Sequence, residues 1–126
     1  MAHSASDEVL AFFEEWSTAA SMMEAIRRRF TPETVWENVG LSRTVGAEEA
    51  VAFTEVFFKQ ANIARGEVVV DHIAQSGDVV LTERSDIFYD SDGKHALTIK
   101  LMGALEMDGP RILSWRDYFD TRSFTP

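Results

Sequence analysis

Cysteine is absent from this chain, so neither a disulfide nor thiol chemistry can contribute to its stability or its reactivity. That fits a reducing compartment. No stretch approaches the roughly 20 apolar residues that a bilayer-spanning helix needs. Basic residues are outnumbered, 12 against 21 acidic, and the formal net charge of −9 repels a phosphate backbone or an anionic membrane surface. Nucleic acid and membranes are therefore not expected partners. The one basic cluster, Arg27-Arg28-Arg29, falls at the end of an expected helix, where cations complement the dipole. The opening residues 1–8 have no basic n-region and no apolar run of signal-peptide type, which makes a cytoplasmic location the expectation. His3, His72 and His95 are far apart and none has a ligand spacing, so no metal site is expected. Gly-rich phosphate loops are missing, and no serine sits in a nucleophile elbow or another recognisable catalytic motif.

What is present is material for one compact domain of 126 residues, with 9 Phe and 3 Trp to fill a core or to wall a pocket. Ser6 before Asp7 and Glu8 reads as a helix N-cap, and Val9, Phe12, Phe13, Trp16 and Ala20 recur at helical spacing. Ser21 and Glu24 have the spacing of a capping box for a second helix, which should stop near Phe30 because of Pro32. Thr34 to Val39 reads as a short strand, Gly40 to Gly46 as a loop, and Ala47 to Gln60 as a third helix. In that helix Ala50, Val51, Phe53, Val56 and Phe57 favour one side. Beyond Glu67 the pattern turns to strands. A β-branched run at Val68–Val70 leads to a turn at Gln75–Asp78, and further strands span Val79–Tyr89, Ala96–Met107 and Ile112–Phe119. Asp90, Asp92 and Asp108 read as turn residues between them. Helices first and an antiparallel meander afterwards predict an α+β domain.

Strand alternation places Trp36 with Asn38, Thr82 with Arg84, Asp86 and Phe88, and Trp115 with Asp117 and Phe119. If those faces are interior, Asp117 needs a partner, and Arg84 is the natural one because a guanidinium fork can hold two carboxylates. Alternation alone leaves a second reading open. Arg84 and Asp86 could equally form an exposed pair on a solvated face, since Glu83, Ser85, Ile87 and Tyr89 opposite are as mixed.

Three segments then carry a resemblance. Thr82-Glu83-Arg84-Ser85-Asp86-Ile87-Phe88, Trp115-Arg116-Asp117-Tyr118-Phe119-Asp120 and Trp36-Glu37-Asn38 together resemble, in order and spacing, the limonene-1,2-epoxide hydrolase family, over Val9 to Phe124. That resemblance implies a cone-shaped fold of the SnoaL-like, nuclear transport factor 2-like group. Its N-terminal helices pack on a strongly curved antiparallel sheet around a deep pocket, and its members are typically homodimers. It implies Asp117 as the general base for water, Asn38 as a holder of that water, Asp86 as the general acid and Arg84 as the bridge between the carboxyls. The matching pocket positions are Trp36, Phe57, Phe88, Ile99, Leu101 and Phe119, positions that serve equally well in a plain core. The implied reaction opens an apolar, cyclic or terpenoid-like epoxide with water to a vicinal diol, with no cofactor.

Physical chemistry makes that assignment coherent. Ring opening needs a nucleophile on carbon and a proton on the departing oxygen, and two carboxyls in different protonation states supply both. One departure stands out: the family usually has tyrosine where this chain has Trp36, and an indole N–H can donate but not accept. Two other function classes fit the same residues: a polyketide cyclase or ketosteroid-isomerase-like proton-transfer enzyme, and a non-catalytic module that binds a small apolar ligand.

Overall fold

The computed structural model describes residues 4–124; His3 lies outside them. Three helices precede and interleave with six strands: α1 (Ala5–Glu14), a 3₁₀ turn (Glu15–Ser17), α2 (Ala19–Arg29), β1 (Phe30–Asn38), β2 (Ser42–Val45), α3 (Ala47–Gln60), β3 (Arg65–Ser76), β4 (Val79–Tyr89), β5 (His95–Asp108), β6 (Arg111–Tyr118) and a second 3₁₀ turn (Arg122–Phe124).

The first helix begins earlier than expected. Its cap is Ser4, not Ser6: Ser4 Oγ accepts from the Asp7 amide at 3.1 Å, and Asp7 Oδ2 accepts from the Ser4 amide at 3.3 Å. The apolar stripe reaching Ala20 is likewise broken. Trp16 leaves helical geometry and Thr18 turns extended, so a new helix starts there and Ala20 is exposed. Its capping box is Thr18 with Ser21, not Ser21 with Glu24: each side chain meets the other's backbone amide at 3.0 Å. Short polar side chains compete for backbone amides, and Ser17-Thr18 is where that competition ends one helix and starts the next.

α2 stops at Phe30, whose backbone passes directly into β1. The segment Gly40–Gly46 is not all loop, because it contains β2 paired with β1. Here tertiary pairing overrides weak local signals. Gly46 opens α3 at φ 82°, and a Cβ there would lie 3.1 Å from the Pro32 carbonyl oxygen, so glycine serves both the backbone angle and the close approach. α3 has its expected bounds, but Val56 is 54% exposed; the inward positions are Ala50, Val51, Thr54 and Phe58.

The sheet order is β2-β1-β6-β5-β4-β3. β3 to β6 form the expected antiparallel meander, whereas β1 joins β6 in parallel, so the sheet is mixed at one seam. The helices cover its inner face, where Val9, Phe12, Ile26, Leu105, Ile112 and Trp115 are fully buried. The outer face leaves Val69, Leu81, Met102 and Tyr118 exposed. Among the described residues no helix is long and apolar enough to cross a membrane.

The basic cluster ending α2 finds carboxylates as well as the helix dipole. Arg27 meets Glu48 at 3.2 Å and Arg28 pairs with Glu15. Arg29 is buried and donates to Glu8 and Glu15, each at 2.9 Å, and to the Pro110 carbonyl at 3.1 Å. It thereby ties α2 to α1 and to the β5–β6 turn. Replacing Arg29 with Ala is expected to lower the unfolding free energy by about 1.5–3 kcal/mol, measured by chemical denaturation, because Glu8 and Glu15 lose their charged donor. The same change at exposed Arg27 is expected to cost less than about 1 kcal/mol.

Candidate active site

The pleat of β4 turns Val80, Thr82, Arg84, Asp86 and Phe88 to the inner face, and all five are buried. This closes the choice that alternation left open: Arg84 and Asp86 are interior. Cross-strand pairing then sets a row of Cα partners over five strands, Thr82, Gly103, Asp117, Asn38 and Ser42. The parallel seam between β1 and β6 is what lays Asn38 beside Asp117 and Trp36 beside Trp115.

Arg84 lies from its own position on β4 across this row. Its Nε donates to Asp86 Oδ1 at 3.0 Å, its Nη2 to Asp117 Oδ2 at 2.9 Å and its Nη1 to Thr82 Oγ1 at 3.1 Å. A longer contact of 3.4 Å joins Nη2 to Asp86 Oδ2. The guanidinium carbon stands 4.6 Å from the centre of the Phe13 ring, a cation–π distance. The other oxygen of Asp117 accepts from Trp115 Nε1 at 2.9 Å, so both of its oxygens are held. Asp86 has Arg84 as its only hydrogen-bond partner among the described residues.

The electrostatics follow from that packing. Burial pushes the Asp86 carboxyl up to about 6; attraction to Arg84 opposes this, and the nearby Asp117 charge adds to it. Burial works against the Arg84 charge, but Asp117 and Asp86 outweigh it and hold the guanidinium above its ordinary value. One cation therefore faces two carboxyls, a set that favours keeping a single proton on the acid pair.

Asp86, Asp117 and Asn38 form the polar part of the wall of a cavity of about 70 Å³. Apart from Thr54 the remaining wall is apolar, and Trp36, Phe57, Phe88, Ile99, Leu101 and Phe119 all contribute to it. Arg84 does not line the space; its guanidinium bonds to the two carboxyls that do. Trp36 stacks flat on Trp115 with centroids 4.4 Å apart, and its Nε1 is buried with no acceptor among the described residues. Asn38 Nδ2 donates to Ser42 Oγ at 3.0 Å, which leaves its Oδ1 to accept.

Sequence reasoning missed other parts of the wall. Trp16 and Phe53 stood on helical apolar faces but carried no sign that they face a void, and Phe58 was overlooked beside Phe57. Phe124 arrives on the second 3₁₀ turn, packing 6.3 Å from Phe57 and 5.7 Å from Phe119, and nothing local announces that. Lys100 is exposed, as its place opposite Ile99 and Leu101 requires. Among the described residues no group of three His, Cys, Asp or Glu side chains could hold a metal ion.

The family profile described as limonene-1,2-epoxide hydrolase catalytic domain matches residues 4–125. A curated relative, epoxide hydrolase EphG of Mycobacterium tuberculosis, is 34% identical over 88 residues, covering 70% of this chain; the chain spans only about half of that relative's length, 56%. Among solved structures, an LEH-like epoxide hydrolase of M. tuberculosis superposes with a TM-score of 0.73 and 29% identity, covering 93% of this chain and 79% of that one. A SnoaL-like polyketide cyclase from Jannaschia sp. CCS1 gives 0.73 at 21% identity over 95% and 88% of the two chains, which speaks for the fold. The fold is thus of the SnoaL-like, nuclear transport factor 2-like type. The three segments that carried the resemblance lie inside a profile match running from the first helix to the last turn, and the chain belongs to the limonene-1,2-epoxide hydrolase family.

Proposed function

We propose that this chain is an epoxide hydrolase that opens a small apolar epoxide to a vicinal diol in one step. The observation that carries this reading is Arg84 held between two carboxyls, Asp86 and Asp117, which open onto an apolar cavity. Asp117 takes a proton from water as the water oxygen bonds to one epoxide carbon. The bond from that carbon to the ring oxygen breaks, and the oxygen leaves as a hydroxyl by taking the proton of Asp86. Asn38 Oδ1 accepts from the second O–H of the water. Trp36, in place of the family's tyrosine, shapes the pocket wall and leaves the water to Asn38 and Asp117. Arg84 stays charged throughout and stabilises whichever carboxylate is ionised. The proton then returns from Asp117 to Asp86 before the next turnover. Base and acid both come from the chain's own carboxyls, so this scheme calls for no cofactor.

Screening cyclic and styrene-type epoxides is the first test. Asp117→Asn and Asp86→Asn should each lower kcat by about 10²–10⁴-fold with circular dichroism unchanged. A rate left intact by either change would rule out the two-carboxyl scheme. A single turnover in heavy-oxygen water should place the label in the diol.

The pH dependence has a definite sign. Asp86 sits at about 6, above its ordinary 3.8, and acts when protonated. Hydrolysis should therefore fall as pH rises through about 6. The same carboxyl contributes stability that is fully present below about 3.8 and is lost across that window. Profiles of kcat and of melting temperature against pH check both statements.

The exposed outer-face residues Val69, Leu81, Met102 and Tyr118 support a homodimer through that face. Light scattering should then give twice the chain mass, and Met102→Glu should shift it toward the monomer. A monomer at all working concentrations would count against the dimer alone.

A further inference from the structure

Gly103 sits in the middle of β5, between Thr82 on β4 and Asp117 on β6. Glycine is unfavourable inside a strand, so its presence there calls for a reason. Backbone angle is not that reason, because Gly103 is not among the residues with positive φ, unlike Gly40, Gly46, Gly77, Gly93 and Gly109. Space is the reason. A Cβ built on Gly103 would overlap Asp117 Oδ1 and stand 2.6 Å from Arg84 Nη1. At Gly40, Gly77, Gly93 and Gly109, by contrast, a Cβ would meet nothing within 4 Å.

We infer that Gly103 is a positioning residue for the acid–base pair: its missing side chain is the seat through which the Arg84 guanidinium crosses β5 to reach Asp117. Arg84 belongs to the row of Leu101, one pleat away from the row of Asp117, and the straight path between them passes over the α-carbon of Gly103. Neither occupant can yield to a methyl group. Arg84 is pinned by Asp86, Thr82 and the Phe13 ring, and Asp117 by Trp115. Both are buried, so neither side chain can swing into solvent. The smallest possible substitution at this strand position thus separates the two charges that the proposed chemistry needs together. This inference rests on that proposed chemistry for its kinetic consequence, but the geometry it names is testable without turnover.

The test compares Gly103→Ala with the parent protein in two ways. In hydrolysis of styrene oxide, kcat should fall about 100-fold while KM stays within about threefold, because the apolar part of the cavity wall is untouched and only the alignment of the pair is lost. Independently of activity, the titration of Asp86, followed by ¹³C NMR of labelled aspartate, should move to higher pH as the guanidinium that opposes its rise is displaced. Melting temperatures are then measured for Gly103→Ala in the parent and in an Arg84→Ala/Asp117→Ala background, where the occupants of the seat are gone. The drop should be large in the parent, up to failure to fold, and small in that background. A folded Gly103→Ala protein with kcat within threefold and unmoved carboxyl titration would overturn the inference. So would an equal loss of stability, or equal failure to fold, in both backgrounds. If the parent turns over no epoxide, the proposed function fails, while titration and melting still decide the role of Gly103.

Discussion

A guanidinium withdrawn from water must take its counter-charges with it, and the inner face of this sheet is organised around that requirement. Burying an ion costs about several kcal/mol even after relaxation, so Arg84 persists inside only because carboxylate, hydroxyl and ring surround it. Asp86, Asp117, Thr82 and Phe13 meet that need from β4, β6 and α1. The consequence runs both ways. Two carboxyls desolvated beside one cation cannot both be comfortably ionised, and the pressure to keep one proton falls on Asp86. A structural constraint and a chemical capability are here the same interaction.

The sheet supplies the geometry. Side chains two apart on β4 bring Arg84 within reach of both Thr82 and Asp86, but Asp117 is more than thirty residues away and arrives only by strand pairing. The parallel seam between β1 and β6 adds Asn38 to the same row and stacks Trp36 on Trp115. That stack does two jobs: it closes the apolar wall, and it stiffens the strand whose indole N–H fixes one oxygen of Asp117. The aromatic rings of α3 complete the enclosure from the opposite side.

Fold and chemistry remain separate statements. A SnoaL-like cyclase superposes on this chain as well as an LEH-like hydrolase does, so the shape of the backbone selects no reaction. The proposed hydrolysis rests on the side chains of one row and its neighbour: attack and leaving-group protonation together use two acids and the arginine buried between them.

Much was legible in the sequence because its physics is local. Alternation in β4 and β6, the helix from Ala47 to Gln60 and the Asp–Gly turns follow from side-chain period and turn chemistry, which neighbouring residues determine by themselves. The three segments in register also named the residues that the fold brings together around the cavity, Asn38, Asp86 and Asp117 on its wall and Arg84 behind it. Helix starts were less legible, since Ser4, Ser6, Thr18 and Ser21 are all able caps and local sequence does not choose among them. Tertiary structure alone decided that the Arg84 face is interior, that β2 exists and that β1 runs parallel to β6. It alone brought Phe124 to the cavity wall and left Gly103 vacant for the guanidinium. Those facts depend on contacts between residues remote in the chain. Local preference leaves such pairings nearly degenerate, and it is their mutual burial that selects one arrangement.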